Sequence, residues 1–291
     1  MRSEPAPSAP PRNPELEKAI LAAPDDREPI AALGAWLQSQ HDPWGDLIVA
    51  QLAGDKATAS AIITKQERFL FGLFNSNLLT LRNGLIVAAT PSSHSELPAH
   101  EDLPVFFALR PAFAVRSVNL LYAPGRKAQE AISRTAPISL TELKFWLEDD
   151  LNGGGQLSLP QLQKLELYRY GTGLQPRHVA GLFEARGVPA LRELRLHGSD
   201  DYPLPAPVVK AFVGSKLLRQ LEVLSLENWI VREDGARVIV DNLGKLAHLK
   251  AVNVDDAGPG TEALEVALAP QMKAFAEFEA ARRPDPEDEP E

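Results

Sequence analysis

The six-residue pattern L-x-x-L-x-L recurs through the second half of the chain, and its spacing limits the possible folds more than any other feature. Leu162-Gln163-Lys164-Leu165-Glu166-Leu167, Leu191-Arg192-Glu193-Leu194-Arg195-Leu196 and Leu221-Glu222-Val223-Leu224-Ser225-Leu226 match it fully. Leu249-Lys250-Ala251-Val252-Asn253-Val254 matches it with valine at two positions. The matches begin at 162, 191, 221 and 249, in steps of 29, 30 and 28 residues. Alternation of apolar and polar residues marks a strand with one face buried. Recurrence at this period marks stacked units, none of which can bury its apolar edge alone. Two weaker units come before them: Val115 with Val118 and Leu120, and Leu140 with Leu143 and Phe145.

The segments between the strands read as helices: His178 to Ala185, Val208 to Val213, and Ala236 to Leu243. Short strands alternating with helices at this period define the expected fold class. It is an α/β leucine-rich repeat solenoid of the ribonuclease-inhibitor-like kind, with parallel strands backed by helices. The expected solenoid covers 79–283. Its ends need covering, and a last helix begun after Pro270 is expected to cover the final repeat with Met272, Phe275, Ala276 and Phe278. The asparagine that commonly follows the pattern is missing; Tyr170, Ser199, Trp229 and Ala257 stand in its place.

If the leucines face the core, the intervening side chains project from the concave side of the sheet. Trp146, Lys164, Glu166, Tyr168, Glu193, Arg195, His197 and Glu227 are therefore the candidate protein-binding residues. Aromatic and arginine side chains on such a surface are the usual anchors of protein interfaces.

Ahead of the repeats the sequence reads as a helical module over 13–78. Asn13-Pro14 starts a helix that Pro24 stops, Asp25-Asp26 can cap a second, and His41-Asp42-Pro43 is a turn before a third. A longer amphipathic helix is expected from Lys56 to Phe74. Three stretches are informative together: Leu16-Glu17-Lys18-Ala19-Ile20-Leu21-Ala22-Ala23-Pro24-Asp25-Asp26, then Trp36-Leu37, then Asp42-Pro43-Trp44-Gly45-Asp46-Leu47-Ile48. In that order they resemble the bacterial repeat-companion domain, a small module found ahead of leucine-rich repeats in many myxobacterial and planctomycete proteins. The likeness spans roughly Asn13 to Ala53, and Leu81 to Ile86 resembles the strand-like segment that often follows. The resemblance implies an architecture and carries no enzymatic activity with it. Trp36 and Trp44 are expected as core anchors of this module.

Composition excludes several functions. The chain has no cysteine, so disulfides, thiolate catalysis and cysteine-ligated metals are ruled out. A net charge of -9 argues against a nucleic-acid partner, which would require clustered Lys and Arg. No stretch is long and apolar enough to suggest a membrane span, and the simplest localisation is cytoplasmic. Residues 1–12 and 284–291 are proline-rich or acidic and are expected to be disordered.

Catalytic candidates are weak. His94, His100, Glu101 and Asp102 fall in one polar stretch that matches no triad or metal spacing. Asp149-Asp150-Leu151-Asn152-Gly153-Gly154-Gly155 lacks the remaining ligands of a calcium or phosphate loop. The sequence thus leads to an expectation of a non-catalytic scaffold, adaptor or inhibitor that binds another protein, with no cofactor or metal. The alternative is an enzyme with its site in 79–116 and repeats that recruit its substrate.

Overall fold

The computed structural model describes residues 12–72, 74–90, 99–120, 125–146, 157–169, 174–184, 186–198, 203–257 and 261–282. The terminal segments 1–11 and 283–291, His94 and residues 149–155 lie outside them. The chain is a mixed α/β protein that divides into two compact units. The first comprises 1–90, 104–116 and 137–139, and the second the remainder. The stretches 79–90 and 104–116 thus group with the helical module, beyond the boundary expected at residue 78.

The first unit begins with four helices, α1 (Pro14–Ala22), α2 (Arg27–Ser39), α3 (Pro43–Leu52) and α4 (Lys56–Phe71). Each starts where an Asn or Asp side chain accepts a hydrogen bond from a first-turn amide: Asn13, Asp26, Asp42 and Asp55. Asp42, read from sequence as part of a turn, is therefore also the cap of α3. Ile20, Ile30, Leu33, Leu37, Trp44, Leu47 and Ile48 form its buried core, whereas Trp36 is only half-buried. Helices α2 and α3 cross closely because two glycines meet there. A Cβ on Gly45 would lie 2.6 Å from the Gln38 amide nitrogen and 2.7 Å from the Gly34 carbonyl oxygen.

A hairpin follows, β1 (Leu79–Arg82) paired antiparallel with β2 (Leu85–Ala89). Its turn residues Asn83 and Gly84 have φ of 52° and 78°, the left-handed pair that a two-residue hairpin needs. The Trp44 indole nitrogen donates to the Gly84 carbonyl at 2.7 Å, tying hairpin to helix α3. Helix α5 (Ala99–Phe107) includes His100, Glu101 and Asp102. Expected on a polar loop, these residues lie in a first helical turn, where acidic side chains favour the helix dipole.

The second unit alternates strands and helices: β3 (Ser117–Leu120), α6 (Gly125–Thr135), β4 (Glu142–Trp146), β5 (Lys164–Tyr168), α7 (Pro176–Phe183), β6 (Glu193–His197) and α8 (Ala206–Val213). It continues with β7 (Val223–Val231), α9 (Glu233–Val240), α10 (Leu243–Leu246), β8 (Ala251–Ala257) and α11 (Glu262–Arg282). Strands β3 to β8 pair in parallel and in chain order, so the sheet is open, with β3 and β8 at opposite ends of the series. All four matches to the six-residue pattern, and both weaker ones, carry a strand. Leu165 pairs with Leu194, Leu194 with Leu224, and Leu224 with Val252. These side chains are buried together with the neighbouring Leu167, Leu196, Leu226 and Val254. Helices α7, α8 and α9 pack each on the next, with the Phe183 and Phe212 rings 5.4 Å apart. Where an asparagine was missing from the pattern, the Trp229 ring is fully buried. It leaves no room at Gly198, where a Cβ would approach it to 2.3 Å.

Helix α11 differs from expectation. It begins at Glu262, not after Pro270, and Pro270 stands inside it. Proline has no N–H to donate to the carbonyl four residues back, so the ladder is interrupted there.

The glycine crossing yields a direct test. Gly45→Ala should lower stability by about 1–3 kcal/mol, as overpacking of a close backbone contact does. Gly244→Ala, where nothing lies within 4 Å of an added Cβ, should leave stability equal or slightly raised. Equal urea midpoints for both variants would refute the close crossing of α2 and α3.

Candidate functional site

The strand register sorts the candidate residues into three rows. Glu142, Lys164, Glu193, Val223 and Ala251 stand side by side on β4 to β8. Lys144, Glu166, Arg195, Ser225 and Asn253 form the next row. Trp146, Tyr168, His197 and Glu227 form the third, on β4 to β7. All eight sequence-derived candidates therefore lie on one face of the sheet, opposite the leucines. Lys144, Ser225 and Asn253 belong with them. In the first two rows, opposite charges alternate both along and across the strands from β4 to β6.

That alternation is realised as ion pairs. Lys164 Nζ lies 2.8 Å from Glu166 Oε1, and Lys144 Nζ lies 3.0 Å from Glu166 Oε2. The Tyr168 hydroxyl donates to the same carboxylate at 3.1 Å. Burial pushes the Glu166 carboxyl up, but the two ammonium groups outweigh it and hold its pKa down to about 2. Arg195 Nε donates to Glu193 Oε1 at 2.7 Å, and its Nη1 lies 3.6 Å from Glu227 Oε1. The Glu227 carboxyl is held below its usual value, chiefly by His197, whose Nδ1 is 3.0 Å away, and also by the Ser225 hydroxyl at 2.8 Å. The Tyr168 and His197 rings stack with centroids 4.0 Å apart and planes 3° from parallel. His197 Nε2 is buried and makes no hydrogen bond among the described residues; Glu166 Oε2 is 3.8 Å from it.

The face that carries the candidate binding residues is in part covered. Glu166, Glu193, Arg195 and His197 are buried, and Ser225 is completely so. For β6, β7 and β8 the cover is α11. Its Phe275 is buried with Val223 and Ala251, and Phe278 packs against the same cluster. The Arg195 guanidinium, 5.5 Å from the Phe275 ring centroid, forms a bidentate pair with Glu279. Arg282 sits 4.0 Å above Phe278 and donates to Glu193 Oε2 at 2.7 Å. Desolvation favours loss of the Arg195 proton, but the carboxylates of Glu279 and Glu193 overrule it and raise its pKa. Phe275 and Phe278 thus lie on the strand face of the last two units, over Val223 and Ala251. Helix α11 also packs on α9.

Glu279 and Arg282 were missed at the sequence level. Their signal was the series Phe275, Phe278, Glu279, Arg282, spaced i, i+3, i+4 and i+7 along one helical face. Their hold is modest. Burying one phenylalanine contributes about 1.5–3 kcal/mol. Each partly exposed ion pair adds less than about 1 kcal/mol.

Toward β4 and β5 the face is more open. Lys144 keeps 37% of its side-chain exposure, and Trp146, Lys164 and Tyr168 are half-buried. Among the described residues, no group of three or more His, Asp or Glu side chains is arranged to hold a metal ion. Among the same residues, no helix is long and apolar enough to cross a membrane.

No family model matches the sequence. A comparison with curated proteins also gives no match. Among solved structures, the chain is similar to a Bacteroides fragilis protein from a structural genomics consortium, at a TM-score of 0.40 and 16% identity. That alignment covers 72% of this chain and 69% of the other. Likeness at that level carries no argument about fold or function.

The charge network predicts a pH dependence. A carboxyl whose folded pKa is depressed stabilises the fold above its unfolded pKa and loses that contribution as pH falls through the folded value. For Glu166 the window runs from 4.5 down to about 2. At about 1.4 kcal/mol per unit, the contribution at neutral pH is about 3 kcal/mol. Glu166→Gln should therefore be clearly less stable than the parent protein at pH 6, with the difference shrinking toward pH 2.5. A constant difference in urea denaturation across that range would show that the network does not hold the charged form.

Proposed function

We propose that the second unit is a leucine-rich repeat solenoid, and that the protein is a non-catalytic adaptor, scaffold or inhibitor that binds another protein through the sheet face opposite its leucines. The solenoid reading is supported by six parallel strands that succeed one another in chain order, with equivalent positions in register. The helical unit ahead of it takes the place of the repeat-companion domain that it resembles.

The observation that carries the functional reading is the third row. Trp146 and Tyr168 stand directly opposite each other on adjacent strands, half-buried, with Tyr168 stacked on His197. Such aromatics are pre-ordered by their neighbours and lose little entropy when a partner covers them. Lys144 and Lys164 flank them, each already engaged with Glu166, so a partner meets a neutralised polar rim around an aromatic centre. The binding surface is centred on β4 and β5, away from the α11 contacts on β6 to β8. A cytoplasmic location fits a cysteine-free chain of this kind and forms part of the proposal.

Affinity purification followed by mass spectrometry would supply a partner, and calorimetry of variants would then test the surface. Trp146→Ala together with Tyr168→Ala should weaken binding by roughly 2–4 kcal/mol, as hot-spot truncations do. Glu184→Ala and Lys210→Ala, on the helical side of the unit, should change it by less than about 0.5 kcal/mol. The reading fails if the helical-side pair abolishes binding and the aromatic pair does not.

A further inference from the structure

The covered part of the face, on β6 to β8, is built differently from a permanent core. Its floor is Glu193, Arg195, Ser225 and Glu227, with only Val223 and Ala251 apolar. Buried surfaces that never open are normally apolar, because charges there must be desolvated for good. Charged residues that are paired and adjacent to solvent suit a contact that forms and parts.

The covering helix has the matching properties. Of its 21 residues, only Leu264, Leu268 and Phe275 are buried, and only Phe275 lies after Pro270. Pro270 breaks the hydrogen-bond ladder between the half carrying Leu264 and Leu268 and the half that lies on the sheet face. The second half is held by Phe275, by Phe278 and by the ion pairs Arg195–Glu279 and Arg282–Glu193. Glu279 and Arg282 remain 34% and 46% exposed, so water already reaches both pairs.

We propose that the β6–β8 face is a second docking surface for an amphipathic helix from another protein, and that the second half of α11 is its resident, displaceable occupant. The partner helix has the chemistry that α11 displays. An aromatic pair at i and i+3 covers Val223 and Ala251, a carboxylate at i+4 meets Arg195, and a guanidinium at i+7 meets Glu193. This inference rests on the reading of the sheet face as a protein-binding surface, and it adds the class of partner. Helix-in-groove recognition generally reads anchors at this spacing.

Two experiments on the full-length protein test it. In hydrogen exchange on the unaltered chain, amides of residues 271–282 should exchange at least 100-fold faster than those of β6 and β7. Exchange of that segment together with the strands would overturn the proposal, since α11 would then open only with the whole unit. The second experiment uses a fluorescent peptide with the sequence of residues 270–282. It should bind the Phe275→Ala protein at least tenfold more tightly than the parent, because the resident helix has lost its buried anchor. Adding Arg195→Glu to that protein should abolish binding of the native peptide, and a peptide carrying Glu279→Arg should restore it. Rescue by the reversed peptide would show that the altered face is still folded. Absence of peptide binding to the Phe275→Ala protein would overturn the proposal, and so would its concentration-dependent dimerisation, which would make a second copy the occupant. The Trp146→Ala and Tyr168→Ala changes should leave peptide binding unaltered, which separates failure of this inference from failure of the β4–β5 surface.

Discussion

Parallel register is the constraint on which the second unit depends. Once Leu165, Leu194, Leu224 and Val252 stand side by side, every other position on those strands has a fixed neighbour about one period away in sequence. Leucine then stacks on leucine to make the core, and on the opposite face lysine meets glutamate and glutamate meets arginine. A slip of one residue would send leucines into the charged rows and charges into the core, so each face enforces the register of the other.

The two faces do unequal work. The leucine face supplies burial and is indifferent to salt and pH. The charged face supplies specificity, since Glu166 and Arg195 each satisfy partners on more than one strand, and neither could be moved without stranding another group. Removing one member leaves its partners desolvated and unpaired, which costs more than the pair is worth by itself.

The strands were legible in the sequence because their signal is local and repeated. L-x-x-L-x-L fixed β5 to β8, and weaker apolar spacing sufficed for β3 and β4. The first two helices were legible through the capping residues Asn13 and Asp26, the third through the turn at 41–43 and the fourth through its amphipathic pattern, all local signals. The hairpin was present as Asn83-Gly84, the strongest short turn signal there is, but its flanking strands are too short for alternation to stand out. The eight candidate residues fell on one face as the alternation of a strand requires. Their burial was not legible, because it depends on α11, whose contacts with Glu193 and Arg195 span more than eighty residues of chain. The apolar stripe of α11 is also interrupted, since the charged Glu279 and Arg282 share the face of Phe275 and Phe278.

Strand β8 gives the position of α11 one more consequence. Within the parallel series β8 pairs with β7 and ends the order, and α11 is the helix packed against it. A terminal strand carries backbone donors and acceptors that can template another chain, and natural proteins blunt such strands by laying a helix or loop on them. Here Phe275 and Phe278 of that helix cover the apolar Val223 and Ala251 on the face of the last two strands, so loosening it would bare an apolar patch beside the terminal strand. Such a patch draws other apolar surfaces to it, and the pull grows steeper as the protein becomes more concentrated.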